Sequence, residues 1–186
     1  MSILSDFAIK TFYRGMLDPF VDHQVSINTS GNKIISYGLS SYGYDIRLAN
    51  EFKFMISNLP VIDPKDMSGL KFFEVVEDYI LIPPQSCVLA RSLEYIKIPR
   101  DILCICMGKS TYARCGLIVN ITPLEPEWEG YLTLELSNTT SIPIKVYANE
   151  GIAQLMFLTG TTICKVSYAD KKGKYQGQTD VTIPKV

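Results

Sequence analysis

Along much of the chain apolar and polar residues alternate with a period of two, the signature of half-buried strands. The stretch "YLTLELSN" (131–138) is the clearest case. Successive side chains on a strand point to opposite faces, so Leu132, Leu134 and Leu136 share one face, and Tyr131, Thr133, Glu135 and Ser137 share the other. Further short β-rich runs are "KIISY", "YDIRL", "EFKFMI", "YILI", "CVLARSLEYIKI", "ILCICM", "GLIVNIT", "PIKVYA" and "IAQLMFL". Pro83-Pro84, Pro99, Pro123, Pro126 and Pro143 punctuate them. Many short strands with regular turns predict a sandwich or barrel. One segment departs from the period. "SDFAIKTFYRGM" predicts a helix within residues 1–17, with Ser5 as its cap, Asp6 in its first turn and Gly15 at its end. "DPKDMSGLK" (63–71) reads as a surface loop. No internal repeat, low-complexity block or linker interrupts the pattern, so residues 1–186 are expected to form one mostly β domain.

From residue 167 the character changes. "SYADKKGKYQGQTD" is polar, glycine-bearing and lysine-rich, without apolar periodicity. Such tails are commonly mobile. Tyrosines that can stack and lysines that can meet phosphates are also what a lid over a nucleotide requires, so 167–186 is read as a polar lid or tail.

Composition narrows the function classes. A chain of 186 residues can bury a sizeable core without metal or disulfide support. With 47% hydrophobic and 20% charged residues it has the balance of an ordinary soluble globule, and no run reaches the roughly 18–20 apolar residues of a membrane span. The start "MSILSDFAIKTFYRG" lacks a signal peptide's basic onset and long apolar stretch, which places the protein in the cytoplasm. Cys87, Cys104, Cys106, Cys115 and Cys164 are odd in number and lie among apolar neighbours, as reduced thiols do. A net charge of −1 argues against a broad nucleic-acid surface but leaves room for a small anionic ligand.

The segment "MGKSTYARCGL" (107–117) ends in the manner of a phosphate-binding P-loop. That motif demands a glycine five positions before Gly108, where the chain has Leu103, and a strand–loop–helix setting that a β chain does not offer. What survives is a turn leaving a buried strand. In it Lys109 and Arg114 supply charge, and Ser110 and Thr111 supply hydroxyls, either to an anion or merely to solvent. Glu135 is ordinary solvent decoration if its strand face is open, and a proton acceptor if that face lines a cleft. Gln154, inside the apolar run "GIAQLMFL", must find hydrogen-bond partners in a core or on a base.

Taken together, "SSYGYDIRLA" (40–49), "GKSTYARCGLIVNITPLEPEWEGYLTLELSNTT" (108–140), "ANEGIAQLMF" (148–157) and "SYADKKGKYQGQ" (167–178) resemble the dCTP deaminases of bacterial type, within the trimeric dUTPase-like superfamily. The blocks stand in family order nearly end to end; Gly43-Tyr44-Asp45 resembles the superfamily's first motif, and "LEPEWEG" occupies the place of its Ile-Asp-x-x-Tyr-x-Gly turn. The resemblance implies a distorted β-barrel of the β-clip type, a homotrimer with sites between subunits, and hydrolytic deamination of dCTP to dUTP and ammonia with Mg²⁺ on the triphosphate. It implies that Glu135 activates water, that Ser110 helps hold it, and that Arg114 reaches the reaction centre from a neighbouring subunit. Lys109, Ser110, Thr111, Tyr112, Ala113 and Arg114 would contact the nucleotide, with Thr133, Leu134 and Glu135 beside the base. Glu125 would meet the sugar 3′-hydroxyl, Gln154 and Tyr168 the phosphates or ribose, and Lys174 and Gln178 would close the lid. Some members carry Arg at the position of Lys109 and Asp at that of Glu125. Feedback inhibition by dTTP accords with the resemblance.

Zinc deaminases hold their hydroxide with an H-x-E…P-C-x-x-C ligand set. This chain has one histidine, His23, and no C-x-x-C, while Cys104 and Cys106 share a strand face as core residues do. The expected chemistry is therefore zinc-independent, with Glu135 drawing a proton from the water that attacks C4 and passing protons to N3 and the departing amine. Two alternatives stay open: a bifunctional enzyme that continues to dUMP, and a non-catalytic β module that binds nucleotides. A pure dUTPase is disfavoured, because the tail "GKYQGQ" replaces a glycine-rich Gly-Ser-Thr-Gly ending.

Overall fold

The computed structural model describes residues 2–56 and 59–185. In chain order its elements are β1 (Ser2–Ile3), α1 (Asp6–Phe12), a 3₁₀ turn (Arg14–Met16), β2 (Leu17–Asp18), β3 (Gln24–Ile27), β4 (Lys33–Ser40), β5 (Gly43–Met55), β6 (Phe72–Val76), β7 (Tyr79–Ile82), β8 (Cys87–Lys97), β9 (Ile102–Gly108), α2 (Ser110–Arg114), β10 (Leu117–Asn120), β11 (Glu129–Asn138), β12 (Ile144–Tyr147) and β13 (Gly151–Thr159). Among the described residues no helix is long and apolar enough to cross a membrane.

The long strand β5 joins two halves of one curled sheet. Its first residues pair with β4 and β13, and its last with β6 and β8, the register slipping between Leu48 and Phe52. β13 continues to β9, and β8 continues to β11 and β10, so the two halves fold over each other as an open, distorted barrel. Tyr44, Ile46, Leu48, Ala90, Ile96, Leu134, Leu136, Ile152 and Leu155 fill the space between them and are almost wholly buried. β7 and β12 form a separate two-stranded ribbon.

Period-two patterning located most of these strands, and β11 alternates buried and half-buried residues as its sequence requires. "YDIRL" and "EFKFMI" prove to be one strand, since Ala49 and Asn50 carry it through the register slip between them. α1 is shorter than expected: Ser5 Oγ accepts the Ala8 N–H, Ile9 buries into the core, and the helix closes at Tyr13 before tightening into the 3₁₀ turn. The turn expected after Gly108 is a single helical turn, α2, because the Ala113 N–H finds the Lys109 carbonyl at 3.0 Å. A mostly β chain thus carries two short helices among its described residues.

Candidate active site

β11 presents its polar face to a cavity of about 290 Å³. Glu135 lines it, with Thr133 one alternation away and Leu89, Ile121, Leu124 and Trp128 as apolar walls. Cross-strand, Glu135 stands opposite Asn120 on β10 and Leu89 on β8. Removal from water dominates its electrostatics and pushes the carboxyl up to about 7, against a weaker opposing pull from its own backbone amide. Among the described residues none of the ion pairs involves Glu135. A carboxyl poised near neutrality inside a cleft has the properties of a general acid–base group.

The C-terminal segment, read from sequence as a mobile tail or a lid, is docked over this cavity. Tyr168, Tyr175, Gln178, Thr182, Ile183 and Pro184 complete its lining, and Val181 is buried. The docking is built from specific bonds. The Trp128 Nε1–H donates to the Tyr175 carbonyl at 2.9 Å, and the Tyr131 N–H to the Gln178 carbonyl at 2.9 Å. Thr133 Oγ1 donates to Gln178 Oε1 at 2.8 Å and accepts the Thr182 N–H at 3.1 Å. Gly130 makes the approach feasible: its φ is +144°, and a Cβ there would stand 2.7 Å from the Gln178 nitrogen. Tyr168 lies against Gly173, where a Cβ would meet the ring at 2.2 Å, and its hydroxyl accepts the Tyr175 N–H. Glu125 lines the cavity and accepts from the Lys171 ammonium. Arg100 bridges Glu127 and Asp170, tying the turn beside Glu125 to the start of the tail.

The remaining predicted residues lie elsewhere. Lys109 turns away from solvent to pair with Asp45 at 2.5 Å. Tyr112 is buried, its hydroxyl accepting the Tyr147 N–H at 3.1 Å, and burial pushes that phenol up to about 12. Its ring is an anchor in the core, and Leu134 is fully buried as well. Ser110, Thr111, Ala113 and Arg114 are exposed on α2 and do not line the cavity of their own chain. Gln154 donates to Ser40 Oγ at 3.0 Å and stands in register with Asp45, on the same side of the molecule as Lys109. Lys174 is exposed, donating to the Lys185 carbonyl at 2.6 Å over the Tyr175 ring.

Of the predicted residues, Glu125, Thr133, Glu135, Tyr168 and Gln178 surround one cavity, and Ser110, Thr111, Ala113 and Arg114 are exposed on a separate surface; Lys109, Tyr112, Leu134 and Gln154 are held within the fold, and Lys174 is exposed on the tail. Trp128, Tyr175, Thr182 and Lys171 were not anticipated. The position of the lone Trp, directly after Glu125-Pro126-Glu127, was the available signal for the first. Cys104 and Cys106 are buried in the core, and His23 is exposed beside Asp22. Among the described residues no three His, Cys, Asp or Glu side chains come together as a metal's ligand set.

With that geometry in hand, comparison with known proteins is direct. The profile of the dCTP deaminase-like family matches residues 4–160. A dCTP deaminase of Acidithiobacillus ferrooxidans is 58% identical over 188 aligned positions, covering 100% of both chains, and one of Methylococcus capsulatus is 56% identical over the same span. Among solved structures, a 2′-deoxycytidine 5′-triphosphate deaminase from Agrobacterium tumefaciens superposes with a TM-score of 0.60 at 20% identity, over 85% of this chain and 48% of that one. That likeness speaks for the shared fold.

Proposed function

We infer the reaction from one premise: this chain belongs to the dCTP deaminase-like family. The chain is a hydrolase that deaminates dCTP to dUTP and ammonia. The observation carrying the residue assignments is Glu135, a carboxyl pushed up to about 7 by burial within a cavity that the chain's own tail covers.

The chemistry follows from proton bookkeeping. Cytosine C4 is attacked by water; Glu135 accepts the proton that water releases, and the tetrahedral carbon then holds both the new hydroxyl and the amine. Protonated Glu135 delivers that proton to N3; the carboxylate so restored takes the proton of the C4 hydroxyl and passes it to the amine, which leaves as ammonia as the uracil carbonyl forms. A group near pKa 7 serves both directions at neutral pH, since neither protonation state is costly. The docked tail excludes bulk water, so the attacking molecule is the one the site holds. Thr133 and Gln178 bring the tail within two residues of the base, and Glu125 offers an acceptor for a sugar hydroxyl once Lys171 yields.

Ser110 and Arg114 belong to this reading as groups supplied to a neighbouring chain's cavity. They are exposed on a separate surface, and among the described residues no Lys or Arg lines the Glu135 cavity. The expected assembly is a cytoplasmic homotrimer, with Mg²⁺ arriving on the triphosphate as part of the substrate. dTTP carries the same sugar and triphosphate and is expected to compete for the same cavity.

Incubation with dCTP, CTP and dCMP in the presence of Mg²⁺, followed by product chromatography, tests the proposal. The expected result is dUTP and ammonia from dCTP alone. Release of dUMP and pyrophosphate would instead assign a bifunctional enzyme, and absence of turnover would leave a nucleotide-binding module.

A further inference from the structure

The ladder between β8 and β11 is broken at one place. Tyr131 stands opposite Tyr95 and Thr133 opposite Arg91, so Ser92, Leu93 and Glu94 of β8 lie across from the single residue Leu132. A pair of extra residues keeps the alternation of faces intact on both sides of the bulge but bends the strands where it sits. In an unbroken antiparallel ladder the Leu132 N–H would find a backbone carbonyl of β8. Here it donates to Ser92 Oγ at 2.8 Å, and that hydroxyl donates in turn to the Glu94 carbonyl at 2.7 Å. One hydroxyl therefore closes the gap from both sides. Water has no access to replace it, since Ser92 is 0% exposed and Leu132 is buried beside it.

The bulge is braced from its far side. The wholly buried Glu94 carboxylate accepts the Arg47 backbone N–H at 2.9 Å and the Arg47 Nε–H at 2.8 Å. That pins β8 to β5 just before the β5–β8 register slips between Leu48 and Phe52. β8 is thus held to a bent course, and the Ser92 hydroxyl passes that course on to β11. Next along β11 come the residues of the site. Leu132, Thr133 and Glu135 all line the cavity. Neighbours of opposite alternation reach one cavity where a strand bends or turns its backbone toward it, and a bulge does that. Thr133 also seats the tail, through its bonds to Gln178 and Thr182.

We propose that Ser92 is a positioning residue for the deamination: by holding the Leu132 N–H across the bulge, its hydroxyl sets where β11 presents Thr133 and Glu135 to the cytosine ring. Ser92 does not line the cavity and acts through β11 alone. The inference rests on reading Glu135 as the proton acceptor of the reaction.

The test uses the full-length protein at a temperature where every variant is folded. Ser92→Ala leaves the buried Leu132 N–H without its acceptor. It is expected to lower kcat for dCTP roughly 10- to 100-fold, because an ångström-scale displacement of a reacting group has that effect. KM is expected to stay within about threefold, since no side chain in contact with substrate is removed. Hydrogen exchange at the Leu132 amide, measured without substrate, should quicken more than at Leu136 on the same strand. Ser92→Thr keeps the hydroxyl and should keep both kcat and the slow exchange. Ser92→Cys, near serine in size but a weak acceptor, should behave as Ser92→Ala does, and it carries the same comparison if Ser92→Ala does not fold. Wild-type kcat in Ser92→Ala, or in Ser92→Cys where that variant stands in, would overturn the proposal. So would a low kcat in any of the three variants whose Leu132 amide stays protected. Ile9→Val, a core substitution on α1 outside the cavity, should keep kcat; a loss equal to that of Ser92→Ala would show that any weakening of the barrel slows the reaction, and would overturn the proposal too. Failure of the underlying reading is distinguishable: the wild type would not turn over dCTP, or Glu135→Gln would remain active, while the Leu132 amide would still report on the Ser92 bond.

Discussion

The half-buried carboxyl on β11 decides what a single residue can do here. Glu135 is neutral well below 7 and ionised well above it, because burial penalises its charge. Only the ionised form accepts a proton, so kcat/KM for dCTP is expected to rise with pH through an ascending limb near 7. An Arg114 guanidinium delivered by a neighbouring chain would draw that limb lower. Glu135→Gln should abolish turnover and the limb with it while dCTP binding persists, as measured by calorimetry. The same shift has a stability consequence of definite sign. The folded chain holds this proton more tightly than the unfolded chain does. The resulting stabilisation is therefore complete below the ordinary carboxyl range and lost as pH rises through 7. Glu135→Gln should accordingly melt above the wild type at pH 8 and converge with it toward pH 5. On the order of 2 kcal/mol separates them at the alkaline end, after discounting for partial exposure. Equal melting temperatures at both pH values would mean that the carboxyl is not desolvated.

At the scale of elements, the decisive contact is the tail running beside β11. It depends on a backbone approach at Gly130 that no side chain permits, since φ is +144° and a Cβ would press on the Gln178 nitrogen at 2.7 Å. Gly130→Ala therefore meets both a clash and a strained conformation, together worth about 1–3 kcal/mol, and the cheaper relief is for the tail to lift away. The expected phenotype is a folded barrel whose residues beyond 174 are rapidly cleaved by protease, with kcat/KM for dCTP lowered about tenfold or more as water enters the site. A tail that stayed protected would show that its docking does not depend on Gly130. The contrast between β11 and its neighbours also explains what was legible in the sequence. β11 could be read because a strand's period is two residues and its two faces differ in kind. α2 could not, because one helical turn is shorter than the period that would reveal it. The tail gave no periodic signal either, as it is held by backbone carbonyls and single hydroxyls, which leave no compositional trace. The fastenings of α2 join residues 64 and 35 positions apart, a distance at which local patterning carries no information.

Across the whole molecule the two groups of predicted residues face different surroundings: Glu135 looks into a covered cavity, and Ser110 and Arg114 look out from the surface beyond Gly108. On the proposed reading, the described residues of one chain leave Glu135 without a paired cation and Arg114 without a paired carboxylate. In a closed ring each chain can give its α2 to one neighbour and its cavity to the other, which makes the contact heterologous and directional. That arrangement has an arithmetic consequence. Under the proposed homotrimer, Glu135→Gln and Arg114→Met should each be inactive alone, but co-expressed with two different tags and purified on both, they should yield only mixed trimers. Going round any mixed ring of three, there is one junction at which an intact Glu135 cavity meets an intact Arg114 turn, whichever variant is present twice. Each mixed trimer should therefore regain about one third of the wild-type rate per assembly. The chain carrying both substitutions, paired with either single variant, should regain none. If Glu135 and Arg114 instead served the same cavity within one chain, no mixture could repair a site, and the doubly purified protein would be as inert as its parents.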